Sequence, residues 1–276
     1  MPVAARGRFF VFCSTIANDP CYNRAMSKVL VVANWKMNPG TMREATKLFE
    51  ATRKAADTSS GSFVVVAPPS IYLREISRLY RGKKMAFASQ DAHHAEGGAH
   101  TGRISLQQAK DAGVSYAIVG HSETRASGKS DDDTRKEVAA ALALRLTPIL
   151  CVGELSRDAS GDHLAVVREQ LTTGLADVPV GKLSKVLIAY EPVWAIGGET
   201  TMSPREMHEM SIFIRKVVVD RYSPVGHSMK VLYGGSVSEK NTLPMLEDGD
   251  VDGLLVGHVS IDAARFAALL SSIANT

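Results

Sequence analysis

From Lys28 onward the chain alternates short, nearly continuous apolar runs with longer stretches in which apolar residues recur every three or four positions. The runs fall at 28–34, 62–67, 84–89, 115–119, 147–152, 185–190, 229–233 and 251–256. A strand with one face in water alternates strictly, whereas these are apolar throughout, the mark of parallel strands covered on both faces. Between them, 41–57 places Met42, Ala45, Leu48, Phe49, Thr52 and Ala56 on one side of a helix, and 131–146, 162–176, 204–220 and 261–273 read likewise. Several of these open on Ser, Thr or Asp, whose side chains accept from the free N–H groups of a first turn.

Eight alternations between residues 28 and 276, with no low-complexity linker, predict an α/β fold: a single closed (β/α)8 barrel, eight parallel strands ringed by helices. The competing open, doubly wound sheet would place a glycine-rich dinucleotide turn after its first strand. Lys36-Met37-Asn38-Pro39-Gly40 stands there instead.

Composition narrows the partners. At 276 residues and 45% hydrophobic content the chain can bury a large core, and a net charge of +3 creates no field strong enough to argue for nucleic acid. No apolar run approaches the roughly 20 residues of a membrane-spanning helix. The expected partner is a small molecule, without nucleic acid or membrane, and the expected compartment is the cytoplasm. Cys13, Cys21 and Cys151 form no disulfide framework, which fits a reducing environment. Residues 1–26 differ in character: Arg6 and Arg8 precede Phe9-Phe10-Val11-Phe12, and Asp19 is the sole acid. A targeting signal and an extra helix compete there with a plainer reading, a start at Met26 preceded by a disordered or mis-assigned extension. The domain division is therefore 1–26 as an extension and 27–276 as the catalytic barrel.

In a barrel the loops that follow the strands carry the chemistry. Their polar residues are Asn34 and Lys36 after the first strand, Gln90 after the third, His121-Ser122-Glu123 after the fourth and Glu191 after the sixth. A carboxylate, an imidazole and an ammonium on one rim supply a base, an electrophile and a charge stabiliser for enolisation. The last two loops, Gly234-Gly235-Ser236 and Gly257, are glycine turns of the kind that offer backbone N–H groups to a phosphate. Each has a plainer role when taken alone: Glu191 a structural carboxylate, Lys36 a solvated amine, His121 a local hydrogen-bonding ring, the glycines a tight turn. Their shared place at strand ends favours chemistry. His93, His94 and His100 near Glu96 match no zinc spacing, so no metal is expected.

The strings Asn34-Trp35-Lys36-Met37-Asn38, Gly120-His121-Ser122-Glu123, Ala189-Tyr190-Glu191-Pro192-Val193-Trp194-Ala195-Ile196-Gly197, Tyr233-Gly234-Gly235-Ser236-Val237 and Val251-Asp252-Gly253 resemble the triosephosphate isomerase family, in order from Lys28 to the C-terminus. The resemblance implies a TIM barrel that interconverts dihydroxyacetone phosphate and D-glyceraldehyde 3-phosphate in glycolysis and gluconeogenesis, with neither metal nor organic cofactor. It implies Glu191 as the proton shuttle and a neutral His121 as the group that polarises the carbonyl, a pairing for which this family is itself the standard worked case. Lys36 and Asn34 would stabilise the enediolate, and Glu123 completes the catalytic set. Pro192, Val193 and Trp194 would begin the lid, Ile196 and Leu255 would clamp over Glu191, and amides at Gly197, Ser236 and Gly257, with His258 beside them, would hold the phosphate.

Some positions depart from the family. His100 stands for an aromatic, Arg103 for a glutamate, and Thr124 for the arginine that pairs with it across a dimer, so both partners of one charge pair have changed together. Lys129 lies in a shortened 126–130 loop where an acid is usual. A homodimer with a re-engineered interface is expected, the Thr101 loop reaching the neighbouring subunit. Gly198-Glu199-Thr200 alters the lid tip and His258 replaces a second glycine. These two changes leave open an isomerase for a four-carbon ketose phosphate such as erythrulose phosphate, and more remotely a non-catalytic phosphate- or partner-binding barrel.

Overall fold

The computed structural model describes residues 28–157, 160–197 and 201–274. The expectations for residues 1–26 and for the Gly198-Glu199-Thr200 tip lie outside the described residues.

The eight apolar runs form strands β1 (Val29–Asn34), β2 (Ser62–Ala67), β3 (Met85–Ser89), β4 (Tyr116–Val119), β5 (Thr147–Val152), β6 (Leu187–Tyr190), β7 (Lys230–Tyr233) and β8 (Gly253–Val256). Each pairs in parallel with the next, and β8 returns to β1 through Leu30↔Gly253 and Val32↔Leu255, closing the barrel. The closure accounts for the continuous apolar strands. Alternate residues such as Val31, Ala33, Val64 and Val66 join a large core beneath the helices, while Val32, Val65, Ile118, Ile149, Cys151 and Ala189 fill a second core inside the barrel. Neither strand face meets water, so neither can be polar.

The ring of helices comprises α1 (Met42–Thr58), α2 (Ser70–Arg78), α3 (Leu106–Asp111), α4 (Ser122–Ala126), α5 (Asp131–Ala143), α6 (Asp162–Gly174), α7 (Pro204–Tyr222), α8 (Thr242–Glu247) and α9 (Ala263–Ile273). Of the expected caps only Thr41 acts as one; Asp131 and Asp162 are the first residues of their helices, and the caps sit one residue earlier. Thr41 Oγ1 accepts from the Glu44 N–H, Ser130 and Asp133 close a capping box, and Asp262 accepts from Ala264 and Arg265. Helix α6 instead starts from Gly161, which has no side chain to offer. Several expected boundaries shift, among them the strand expected from 251, which begins at Gly253, and the helices expected to 146 and 176, which end at Ala143 and Gly174; two others shift for a shared reason. The strand expected to begin at 185 begins at Leu187, after a 3-10 stretch Val180–Lys185, and the helix expected from 261 begins at Ala263, after a 3-10 turn His258–Ile261. Tight turns carry no apolar period of their own and merge with their neighbours in the sequence pattern. Among the described residues no helix is long and apolar enough to cross a membrane.

Candidate active site

The barrel brings the strand-end residues to one rim. At the end of β1, Asn34 Oδ1 accepts the Lys36 N–H at 3.0 Å, and Lys36 sits at φ 52, a left-handed value uncommon for a residue with a side chain. What holds it there is Gln90, beyond β3, whose amide donates to the carbonyls of Lys36 at 2.7 Å and Ala67 at 2.8 Å. The lysine stem passes Gly257 so closely that a Cβ there would lie 3.2 Å from its Cε. Its ammonium then meets Glu123 Oε1 at 2.6 Å. Strain of this kind concentrates where a side chain must be aimed.

His121 precedes α4, and its Nδ1 accepts the Glu123 N–H at 3.2 Å. A ring nitrogen that accepts has no proton, so the hydrogen-bond pattern assigns a neutral ring with its hydrogen on Nε2. That Nε2 faces Glu191 Oε1 at 3.0 Å. The other carboxylate oxygen accepts the Ser122 N–H at 2.9 Å, and the backbone of Glu191 is fixed by its own N–H on Val152 O at 2.8 Å. Glu191 is 2% exposed. Burial pushes its carboxyl above the ordinary glutamate value, and His121, the Ser122 N–H and Lys36 offset only part of that push.

Beyond Glu191 the chain makes one 3-10 turn, Val193–Ala195, after Pro192. The turn is tied to Glu154, a residue just past β5 that is 1% exposed. The Glu154 carbonyl accepts the Val193 N–H at 3.0 Å, and its carboxylate accepts from Trp194 Nε1 at 2.9 Å and from the Tyr190 hydroxyl at 2.8 Å. Arg157 donates to the Tyr190 hydroxyl at 3.1 Å and lies over the Trp194 ring. At the opposite end, Asn241 braces the turn after β7 by donating to Ser236 O at 2.8 Å, and Arg265 grips Glu239 at 2.7 and 3.0 Å.

Asn34, Lys36, His121, Glu191, Ile196, Gly197, Ser236, Leu255, Gly257 and His258 all line one cavity of about 370 Å³. Of the other predicted residues, Glu123 stands behind Lys36, and Pro192, Val193 and Trp194 form the stem of the loop that carries Ile196 to the cavity. Arg265 also lines the mouth, and Glu154, Gln90 and Arg125 support the walls; Arg125 donates to Gly120 O at 2.7 Å beside His121. Glu154 and Gln90 follow strands directly and so carry a positional signal. Arg125 and Arg265 lie within helices, where a charged residue looks like solvated surface. His93, His94 and His100 stack on one another, with ring centroids 4.4 and 4.1 Å apart, in place of converging on a point.

A buried carboxylate poised to accept a proton, a ring N–H 3.0 Å from it, an ammonium nearby and glycine turns at the far end suit a small enolisable anion. The profile of the triosephosphate isomerase family matches residues 29–273. Relatives bearing that name include the protein of Endomicrobium trichonymphae, 38% identical over 247 residues that cover 89% of this chain and 98% of the relative. Those of Bradyrhizobium diazoefficiens and Pseudomonas syringae pv. tomato are each 38% identical, over 87% and 91% of this chain and 95% and 100% of their own lengths. Barrel, rim chemistry and similarity over most of the chain agree: the chain belongs to the triosephosphate isomerase family.

Proposed function

We propose that this protein interconverts dihydroxyacetone phosphate and D-glyceraldehyde 3-phosphate, with Glu191 as the base. The observation that carries the reading is the contact between His121 and Glu191 at 3.0 Å, with the imidazole held neutral by the Glu123 N–H. Substrate enters between these two side chains. Glu191 takes a proton from C1, the C1–H electron pair becomes a C=C bond, and the carbonyl electrons move onto the C2 oxygen, where His121 Nε2–H donates. Lys36 and Asn34 stabilise the enediolate, with Glu123 aiming the lysine. His121 passes a proton to the C2 oxygen and takes the C1 hydroxyl proton, and as Glu191 returns its proton to C2 the C=C pair forms the C2–H bond and the C1 oxygen becomes the aldehyde carbonyl, so no redox partner or cofactor is consumed.

Amides at Gly197, Ser236 and Gly257 bind the phosphate, His258 standing beside them. The segment from Pro192 through Val193 and Trp194 acts as the lid stem, and Ile196 with Leu255 forms an apolar clamp that excludes water and strengthens the field on the enediolate. A cavity of about 370 Å³ lies near the small end of ligand sites, which run from about 300 to 1,000 Å³. Turnover of dihydroxyacetone phosphate and of erythrulose phosphates tests the substrate. The triose phosphate is expected to be favoured at least about tenfold in kcat/KM, the discrimination one added carbon commonly gives. Equal or reversed preference would overturn this reading.

The working unit is the barrel of residues 27–276, with the 1–26 extension no part of it, acting in the cytoplasm as a homodimer whose contact includes the Thr101 loop. Met37 and Ile71, large apolar side chains exposed to 92% and 81%, suit burial against a second copy. Thr124, which donates to His121 O, puts no charge at the position that the resemblance gives to an arginine. Light scattering that finds only monomer at micromolar concentration would refute the dimer.

A further inference from the structure

Strand β5 ends at Val152, whose carbonyl still takes the Glu191 N–H at 2.8 Å. The next residue, Gly153, has its N–H and its carbonyl hydrogen-bonded to one side chain on the outer ring. The Gly153 N–H donates to Gln170 Oε1 at 2.7 Å, and Gln170 Nε2 donates to the Gly153 carbonyl at 3.2 Å. Gln170 lies within α6 and is 9% exposed. A carboxamide that both accepts from and donates to the same residue sets that backbone's orientation as well as its position.

Gly153 presses directly on the base. A Cβ built there would lie 1.8 Å from the carbonyl oxygen of Glu191, so the two backbones are in contact and a tilt at Gly153 is passed on to Glu191. The following residue, Glu154, holds Val193 and Trp194 of the lid stem. We infer that Gln170 is a positioning residue for Glu191, acting through the Gly153 backbone and never touching substrate. Packing alone does not explain a carboxamide here. Its surroundings include Val152, Val166 and Val193, walls of a cavity of about 250 Å³ that Glu191 also lines, where an aliphatic side chain would fit better if the fork did nothing.

The inference rests on Glu191 being the base, and the test separates the two claims. Steady-state kinetics are compared from about pH 5.5 to 9 for the parent enzyme, Gln170→Leu and Gln170→Glu, with Glu191→Gln alongside. Gln170→Leu, which has no fork, is expected to lose about tenfold or more in kcat with KM changed less than about twofold, the pattern of a misaimed base and not of lost binding. Gln170→Glu carries its own signature. Its neutral carboxyl accepts from the Gly153 N–H and donates to the Gly153 carbonyl as the amide does, whereas its carboxylate cannot donate; burial favours the neutral form. Its kcat relative to the parent at the same pH is therefore expected to rise at least about fivefold as the pH falls across that range, and the ratio cancels titration of Glu191 itself. An unchanged kcat in Gln170→Leu, or a pH-independent ratio in Gln170→Glu, overturns the inference; if Gln170→Leu does not fold, the ratio alone decides. Near-parental activity in Glu191→Gln removes the base assignment and this inference with it, whereas its inactivity beside an unimpaired Gln170→Leu overturns this inference only.

Discussion

His121 Nε2 faces Glu191 Oε1 at 3.0 Å across the mouth of the barrel, and the same carboxylate accepts the backbone N–H of Ser122, the residue next to that histidine. One short turn after β4 therefore supplies both the electrophile and part of the cradle of the base. Burial outweighs these donors and holds the Glu191 carboxyl above its ordinary value.

That shift has a kinetic sign. The base works only when ionised, so kcat/KM falls as the pH drops through the raised pKa of the free enzyme. The acid limb of the pH profile is expected above the ordinary glutamate value of about 4.3. A limb at or below that value contradicts a buried carboxylate whose donors offset burial only in part. Folding stability follows the same shift: the contribution from Glu191 is full below its unfolded pKa and is lost as the pH rises through the raised folded one.

Lys36 is bound to Glu123 at 2.6 Å, yet its ammonium also lines the cavity. Lys36→Met removes a charge on the enediolate side and is expected to lower kcat/KM by about 100-fold or more, the scale of losing one preorganised stabiliser. Glu123→Gln keeps the lysine and loosens its aim, with an expected loss of about three- to tenfold, since the pair is partly exposed and screened. Unchanged kinetics in Lys36→Met would remove that residue from the site.

The strands and the chemistry at their ends were legible because both follow from burial and topology. Every strand of a closed barrel is apolar on two faces, and the loops after the strands share one rim, so the sequence alone groups Asn34, Lys36, His121 and Glu191. The short helices α3, α4 and α8, of five or six residues, are too brief to show a 3.6-residue period. Gln170 was invisible for a different reason. Its place in α6 is an ordinary helical position, and only the packing of α6 against the end of β5 makes its carboxamide the partner of Gly153. Glu154 had a strand-end signal, but its link to Tyr190 and Trp194 spans 36 and 40 residues of chain.

The imidazoles of the loop after β3 give a prediction about stability. His93 stacks between His94 and His100, and burial, followed by the charges of His100, His94, Arg103 and Lys129, lowers its pKa. A depressed folded pKa means that the unfolded chain takes up the proton first, so this contribution to stability is present above the ordinary histidine value of about 6.5 and lost as the pH falls towards the folded one. Thermal unfolding at pH 8 and pH 5.5 checks it. The parent is expected to lose about 1–2 °C more than His93→Gln on acidification, a small effect because the ring is partly exposed. An equal or larger loss in the variant would show that His93 does not resist the proton.

Deuterium uptake from solvent into dihydroxyacetone phosphate, measured with Glu191→Gln and followed beside net isomerisation, addresses the base directly. With Glu191 as the sole shuttle between C1 and C2, the variant is expected to lose at least about 1,000-fold in kcat and to incorporate no deuterium above the uncatalysed background, within the range general-base catalysis supplies. Near-parental exchange in that variant would place the base elsewhere and contradict the account.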